Sequence, residues 1–254
     1  MRGRDASFAT ESYGWTIIPI GVDYDRGVVI ALPTKGTAMK QIQADLWQTG
    51  TESPFPGLTT HAYLLHREAG NVLFYNTSLV EDIEAMSGLG GVAWQLLSHR
   101  DELGSSLQGI RTRYGARLGG HVAERQDFAH YLVPDLLFER REMIVDGIEV
   151  IPVPGHSPGS VCFVVTSITG LRYLFTGDTL FLGGNGLWRA GFIPGHNSEE
   201  DRQQIAESLQ LLVDLAPDLV IGSAFATAPG WQKICAADWP AMVAQARKAL
   251  LAGG

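Results

Sequence analysis

Cysteine is scarce in this sequence: Cys162 and Cys235 are the only two in 254 residues. They form neither a disulfide framework nor a metal-type pair, which fits a reducing, cytoplasmic setting. Positive charge is also short. The chain has 19 Lys and Arg against 27 Asp and Glu, a formal net charge of -8. That balance leaves no electrostatic footprint for nucleic acid, so no nucleic-acid partner is expected. No apolar run reaches the roughly 18 residues a membrane span needs. The start, MRGRDASFATESYGW, has no apolar core behind its basic residues, so no signal peptide is expected. No fixed-period repeat or low-complexity tract is present, which excludes solenoids and low-complexity disorder.

What remains is a chain with material for a sizeable core. Hydrophobic residues make up 45% and charged residues 18%, far from a disordered composition. Hydrophobic patterning predicts short strands at 15–20 and 28–32, then at 41–48, 61–65 and 72–75, with a loop over 49–59. Ser78 and Glu81 read as a capping box for a helix carrying Leu79, Ile83 and Met86. A strand over 92–97 precedes a helix with Leu103, Leu107, Ile110 and Tyr114, closed by Gly115. The second half repeats this grammar. After a strand at 117–122 that ends the first half, strands are expected at 142–145, 148–153, 161–166 and 172–176. A Gly-rich loop follows at 183–195, then a helix capped by Ser198 and Asp201 and stopped by Pro217. A strand at 219–221 and a last helix from Pro240 complete the chain. Two runs of strands, each followed by helices, give two stacked sheets covered by helices, a layered α/β arrangement.

Chemistry-bearing residues gather where apolar strands end, the usual place for sites. His99, Asp101 and Glu102 fall in one turn after the 92–97 strand. They suit metal ligation, and equally a helix start favoured by the dipole. His156 sits between the breakers of Pro154-Gly155-His156-Ser157-Pro158. Asp178 directly follows the 172–176 strand, where an Asx turn is the structural alternative. Ser223 follows the 219–221 strand. His61 and His66 flank a strand and read as surface or hairpin residues. His121 ends a strand, and His130 reads as a loop residue. His196 lies in the Gly-rich loop with Trp188 and Arg189.

Together these segments resemble the metallo-β-lactamase-like hydrolase superfamily over residues 42–254. HAYLL…NVLFYNTS resembles its opening hairpin and LLSHRDELG its HxHxDHxG segment. VPGHSPGS resembles its third-histidine motif and LFTGDTLF its bridging-aspartate motif. The resemblance implies a four-layered αββα sandwich of two mixed β-sheets flanked by helices; residues 1–41 lie outside it as an N-terminal extension, whose strands could join the first sheet or cover a partner surface. It places family ligands at His99, Asp101, His156 and Asp178. It also shows departures: Leu97, Glu102 and Ser223 stand where histidines usually do, and Asn76 replaces an Asp. The form Leu97-Ser98-His99-Arg100-Asp101-Glu102 resembles an "HRD" subgroup with a degenerate metal site.

The function implied is a metal-dependent hydrolase with a reduced, at most mononuclear, site acting on an ester, thioester, lactone or phosphodiester. One divalent metal, Zn, Fe or Mn, would be held by His99, His156 and Asp178 with Asp101, while Asp101 and Glu102 serve catalysis. Trp188, Arg189 and His196 would bind the small-molecule substrate. Two alternatives stay open. One is a metal-free binding or regulatory protein in which the same residues pair as an ionic cluster. The other is a non-haem iron oxygenase of the persulfide-dioxygenase type. A homodimer is compatible with all three, and none calls for a membrane.

Overall fold

In the computed structural model, which describes residues 39–226 and 229–253, the expected strands and helices alternate as the patterning requires. The strands expected at 15–20 and 28–32 lie outside the described residues. The first half supplies β1 (Lys40–Gln43), β2 (Leu46–Gln48), β3 (Glu52–Phe55), β4 (Leu58–Thr60), β5 (Tyr63–Leu65) and β6 (Val72–Phe74). There follow α1 (Val80–Ala85), β7 (Trp94–Leu96), α2 (Ser106–Tyr114), β8 (Arg117–His121), α3 (Arg125–Phe128) and β9 (Leu136–Phe138). The second half adds β10 (Glu142–Met143), β11 (Glu149–Pro152), β12 (Val161–Thr166), β13 (Arg172–Gly177), β14 (Leu180–Leu182) and β15 (Trp188–Ala190). It ends with α4 (Glu199–Leu212), β16 (Leu219–Gly222), β17 (Ala224–Phe225), β18 (Trp231–Lys233) and α5 (Trp239–Leu251).

Two large sheets result. One has seven strands in the order β1-β2-β5-β6-β7-β8-β9, the other six in the order β10-β11-β12-β13-β16-β18. Both are mixed: β6 to β9 run parallel, as do β13 and β16, and the other neighbours are antiparallel. Strand alternation decides what each face meets. On β13, Tyr173 and Phe175 enter the core between the sheets, and Leu174 points the other way. On β16, Leu219 and Ile221 face inward and Val220 outward. The inner core also takes Leu64, Phe74 and Leu96 from the first sheet. The outer face of the second sheet packs on Ile205, Leu209 and Leu212 of α4 and on Trp239 and Val243 of α5. Over the first sheet, Leu107 of α2 and Phe128 of α3 cluster with Leu97 and Leu118.

Several local expectations hold. Ser198 and Asp201 form a reciprocal capping box on α4, Gly115 closes α2 at φ 68°, and Pro240 lies in the first turn of α5. Others change. The segment 41–48 is a tight hairpin, β1 to β2, and not one strand. The expected loop at 49–59 contains β3 and β4, and β4 pairs with β17. The Gly-rich loop holds the hairpin of β14 and β15. Ser78 does not cap α1, whose N-cap Leu79 has no side-chain partner. Its backbone N–H and its hydroxyl instead donate to Glu52, an acceptor 26 residues away that no local pattern reveals. Among the described residues no helix is long and apolar enough to cross a membrane.

Candidate metal centre

The four segments meet at one end of the sandwich. His99 follows β7, Asp178 follows β13 and Ser223 follows β16, so each leaves the carboxyl end of a strand. His156 comes from the turn between β11 and β12. In open α/β sheets these strand ends are where ligands bind. Glycine makes the approach possible. Gly177, at φ 53°, passes so close to Ser98 that a Cβ would lie 2.2 Å from its Oγ. A side chain there would push Asp178 away from His99.

Both imidazoles are buried, at 3% exposure for His99 and 4% for His156. His156 Nδ1 lies 2.7 Å from the carbonyl oxygen of Gly191. A carbonyl only accepts, so Nδ1 carries a proton, and in the neutral form of the ring the bare lone pair is at Nε2. Asp178 divides its work. Oδ1 accepts from the Ser223 hydroxyl and, at 3.1 Å, from the Ala224 N–H. Oδ2 lies 3.5 Å from His99 Nε2 and 3.8 Å from His156 Nε2. Asp101 stands on the solvent side, 55% exposed, with Oδ2 3.5 Å from His156 Nε2 and 3.9 Å from His99 Nε2. Ligand atoms of His99, Asp101 and His156 all lie within 4.8 Å of one another.

The electrostatics follow from this crowding. Burial on its own would lower the His99 pKa. The charges of Asp178 and Glu102, with the Glu102 contact at Nδ1, reverse this and hold it well above the ordinary histidine value. Burial on its own would raise the Asp178 carboxyl. The charges of His99 and His156, with the hydrogen bond from Ser223, hold it far below the usual carboxylate range. Asp101 is also lowered, first by the His156 ring whose Nε2 faces it. Protons therefore compete with any cation for His99, which makes metal uptake pH-dependent.

The donor set fits a divalent metal. The Nε2 atoms of His99 and His156 are buried without a hydrogen-bond partner among the described residues. Buried polar atoms are rarely left so, and both face Asp178 Oδ2. Two imidazoles and a carboxylate suit Zn, and suit Fe or Mn as well.

The other residues named from the sequence fall differently. Glu102 lines the same cavity, but its carboxylate faces Ser98 and His99 Nδ1, away from the convergent Nε2 atoms. Leu97 packs with Leu107, Leu118 and Phe128 and does not line the cavity. Asn76 takes a tethering position: its Nδ2 donates to the Glu102 carbonyl, and its Oδ1 accepts from Gln95 and Ser106. Trp188 is turned into the core, 5% exposed, its Nε1 donating to Gln232. Arg189 and His196 are exposed. None of these three is among the residues that line the cavity, and from their loop only Ile193 reaches it.

That cavity measures about 790 Å³ and opens over His99, Asp101 and Asp178. Pro54, Leu58, Leu103 and Ile193 give it apolar walls, and Glu52, His61 and Thr77 add polar ones. His61 is a correction to the surface reading. It is 5% exposed, stacked on Phe225 with ring centroids 5.1 Å apart, and its Nδ1 lies 2.9 Å from the Gly50 carbonyl. The pairing of β4 with β17 that buries it joins residues far apart in sequence.

The family model described as the metallo-beta-lactamase superfamily matches residues 80–223. No curated protein gives a match. Solved structures do. A Cronobacter sakazakii metallo-beta-lactamase described by its HARLDQ motif aligns with a TM-score of 0.65 at 17% identity, covering 85% of this chain and 93% of that one. The metallo-beta-lactamase GOB-18 from Elizabethkingia meningoseptica aligns with a TM-score of 0.61 at 17% identity, over 85% and 90% of the two chains. A metallo-beta-lactamase from Pontibacter korlensis gives 0.63 at 15% identity, over 84% and 98%. At such identities the likeness is one of fold.

Proposed function

Because the chain belongs to the metallo-beta-lactamase superfamily, we propose that it is a cytoplasmic metal-dependent hydrolase with a reduced, one-metal site of the HRD type. Its substrate is a small ester, thioester, lactone or phosphodiester. One observation carries this reading: two buried imidazoles present unpartnered Nε2 atoms toward a single carboxylate oxygen. His99, His156 and Asp178 would hold the cation, with Asp101 at its open side. A divalent cation there supplies Lewis-acid polarisation of a carbonyl or phosphoryl oxygen and lowers the pKa of water.

The chain's own groups do the rest. The Gly191 carbonyl keeps the proton of His156 on Nδ1. Ser223 and the Ala224 N–H fix Asp178 so that Oδ2 faces the imidazoles. Asp101, exposed and held ionised, can accept a proton from water at the mouth of the site. The apolar walls exclude bulk water from the reacting bond. The cytoplasmic assignment rests on the two cysteines, both free, Cys162 buried and Cys235 exposed.

The test is elemental analysis of protein purified without chelator, beside Asp178→Asn. Near one equivalent of Zn, Fe or Mn in the parent, lost in the variant, is the expected result. Ester, thioester and phosphodiester screens with that metal then follow. A parent that contains no metal and takes none up would sink the hydrolase reading. It would leave the ionic pairing of His99 with Asp178 and of His156 with Asp101 as the state of the site.

A further inference from the structure

We infer that Glu102 is the positioning residue of this site: it holds the His99 ring so that Nε2 is presented to the cavity and the proton stays on Nδ1. The inference deepens the one-metal reading and takes from it that His99 is a ligand. The Glu102 side chain is 7% exposed, and three donors surround its carboxylate. The Ser98 N–H donates to Oε2 at 2.8 Å, the Ser98 hydroxyl donates to Oε1, and His99 Nδ1 lies 3.2 Å from Oε1. Ser98 Oγ is also 2.9 Å from His99 Nδ1.

A hydroxyl has one proton, and here it is spent on the carboxylate. Both oxygens near Nδ1 are then acceptors, so Nδ1 must be the donor. This assigns the tautomer from the network. Removing the carboxylate frees the Ser98 hydroxyl to donate to Nδ1. That reversal favours the other tautomer, whose Nε2–H cannot ligate. No other carboxylate of the cluster can substitute, since Asp101 and Asp178 both lie on the Nε2 side of the ring.

The position of Glu102 is itself fixed. Its backbone N–H closes the Arg100–Glu102 turn on the His99 carbonyl at 3.3 Å, and its own carbonyl accepts from Asn76 at 3.0 Å. The same short turn that puts Asp101 outside the ring puts Glu102 behind it. A carboxylate behind a ligating histidine orients the ring and raises its basicity, and removing such a partner typically costs about 10–100-fold in metal affinity.

Two readouts on the full chain test this. In the first, zinc affinity is measured by chelator competition for the parent, Glu102→Gln and Glu102→Ala. Glutamine keeps the shape, but it has one acceptor oxygen and an NH2, so it cannot serve the Ser98 N–H on one side and the Ser98 hydroxyl with His99 Nδ1 on the other. The expectation is zinc binding weaker by about 10–100-fold in both variants. Affinity within twofold of the parent would overturn the inference. In the second, the His99 ring is followed by long-range proton–nitrogen correlation spectra, with and without zinc. The parent should show a protonated, slowly exchanging Nδ1 in both states. In Glu102→Ala that proton should shift upfield and exchange faster. If alanine does not fold, the glutamine variant carries the test. A bare Nδ1 in the parent, or a proton unmoved by either substitution, would overturn the inference even if no metal binds. Failure of the parent to take zinc or any other divalent metal strikes the one-metal reading instead, and the Nδ1 proton still decides the role of Glu102.

Discussion

Asp82 is fully buried, yet only one of its carboxylate oxygens is satisfied. Oδ2 accepts the Gly50 N–H at 2.6 Å, and Oδ1 has no partner among the described residues. Burial raises its pKa above the ordinary 3.8, against the opposing Gly50 hydrogen bond. From 3.8 up to that raised value the folded chain binds more protons than the unfolded one, so this residue's contribution falls as pH rises through that window. In Asp82→Asn that slope should be absent. Urea unfolding at a series of pH values should show the variant gaining on the parent through the window and levelling off above it. A constant difference across it would contradict the account. Residues of this kind are poorly legible in a sequence. His99, His156 and Asp178 could be read because each stands beside turn residues at the end of an apolar strand. His61 could not, since its burial depends on Phe225, which arrives from another part of the chain. Glu102 could be placed near the site, but the direction of its carboxylate depends on the turn geometry of Arg100–Glu102.

At the scale of elements, the hairpin of β14 and β15 links core to site. Its Trp188 end is locked into the outer core by Gln232, and its exit delivers the Gly191 carbonyl to His156. A Cβ on Gly191 would sit 1.8 Å from the Asp178 carbonyl oxygen and 3.2 Å from His156 Nδ1. The first of these is backbone and cannot swing aside. Gly191→Ala should therefore cost about 1–3 kcal/mol of stability, as overpacking does. It should also weaken metal uptake, because His156 loses its acceptor. Thermal unfolding and metal titration check the two effects separately, and an unchanged protein in both would show that the loop has room to give. The sequence marks this stretch only as glycine-rich. The hairpin inside it escapes pattern reading because its two strands have three residues each, too few to show alternation.

For the molecule as a whole, the layered arrangement is legible because alternation on β12, β13 and β16 sorts residues to two opposite cores. Phe175 lies at the centre of the inner one, stacked on Phe74 with ring centroids 3.8 Å apart and edge-on to Tyr75 at 6.1 Å. Phe175→Ala should cost about 3–5 kcal/mol, read as a lowered denaturation midpoint at unchanged slope. A loss below about 1 kcal/mol would mean that the sheets close over the gap. Beside this stack, the Tyr75 hydroxyl accepts the Gly177 N–H at 3.0 Å and donates to the Ile221 carbonyl at 2.8 Å. Its backbone holds a φ of 68°, a conformation a bulky residue adopts only under constraint from its surroundings. One phenol from the first sheet thus serves as a gauge block against the second, next to the residue that precedes Asp178. The separation of the two sheets beneath the site is thereby set from the interior, whatever side chains line its mouth.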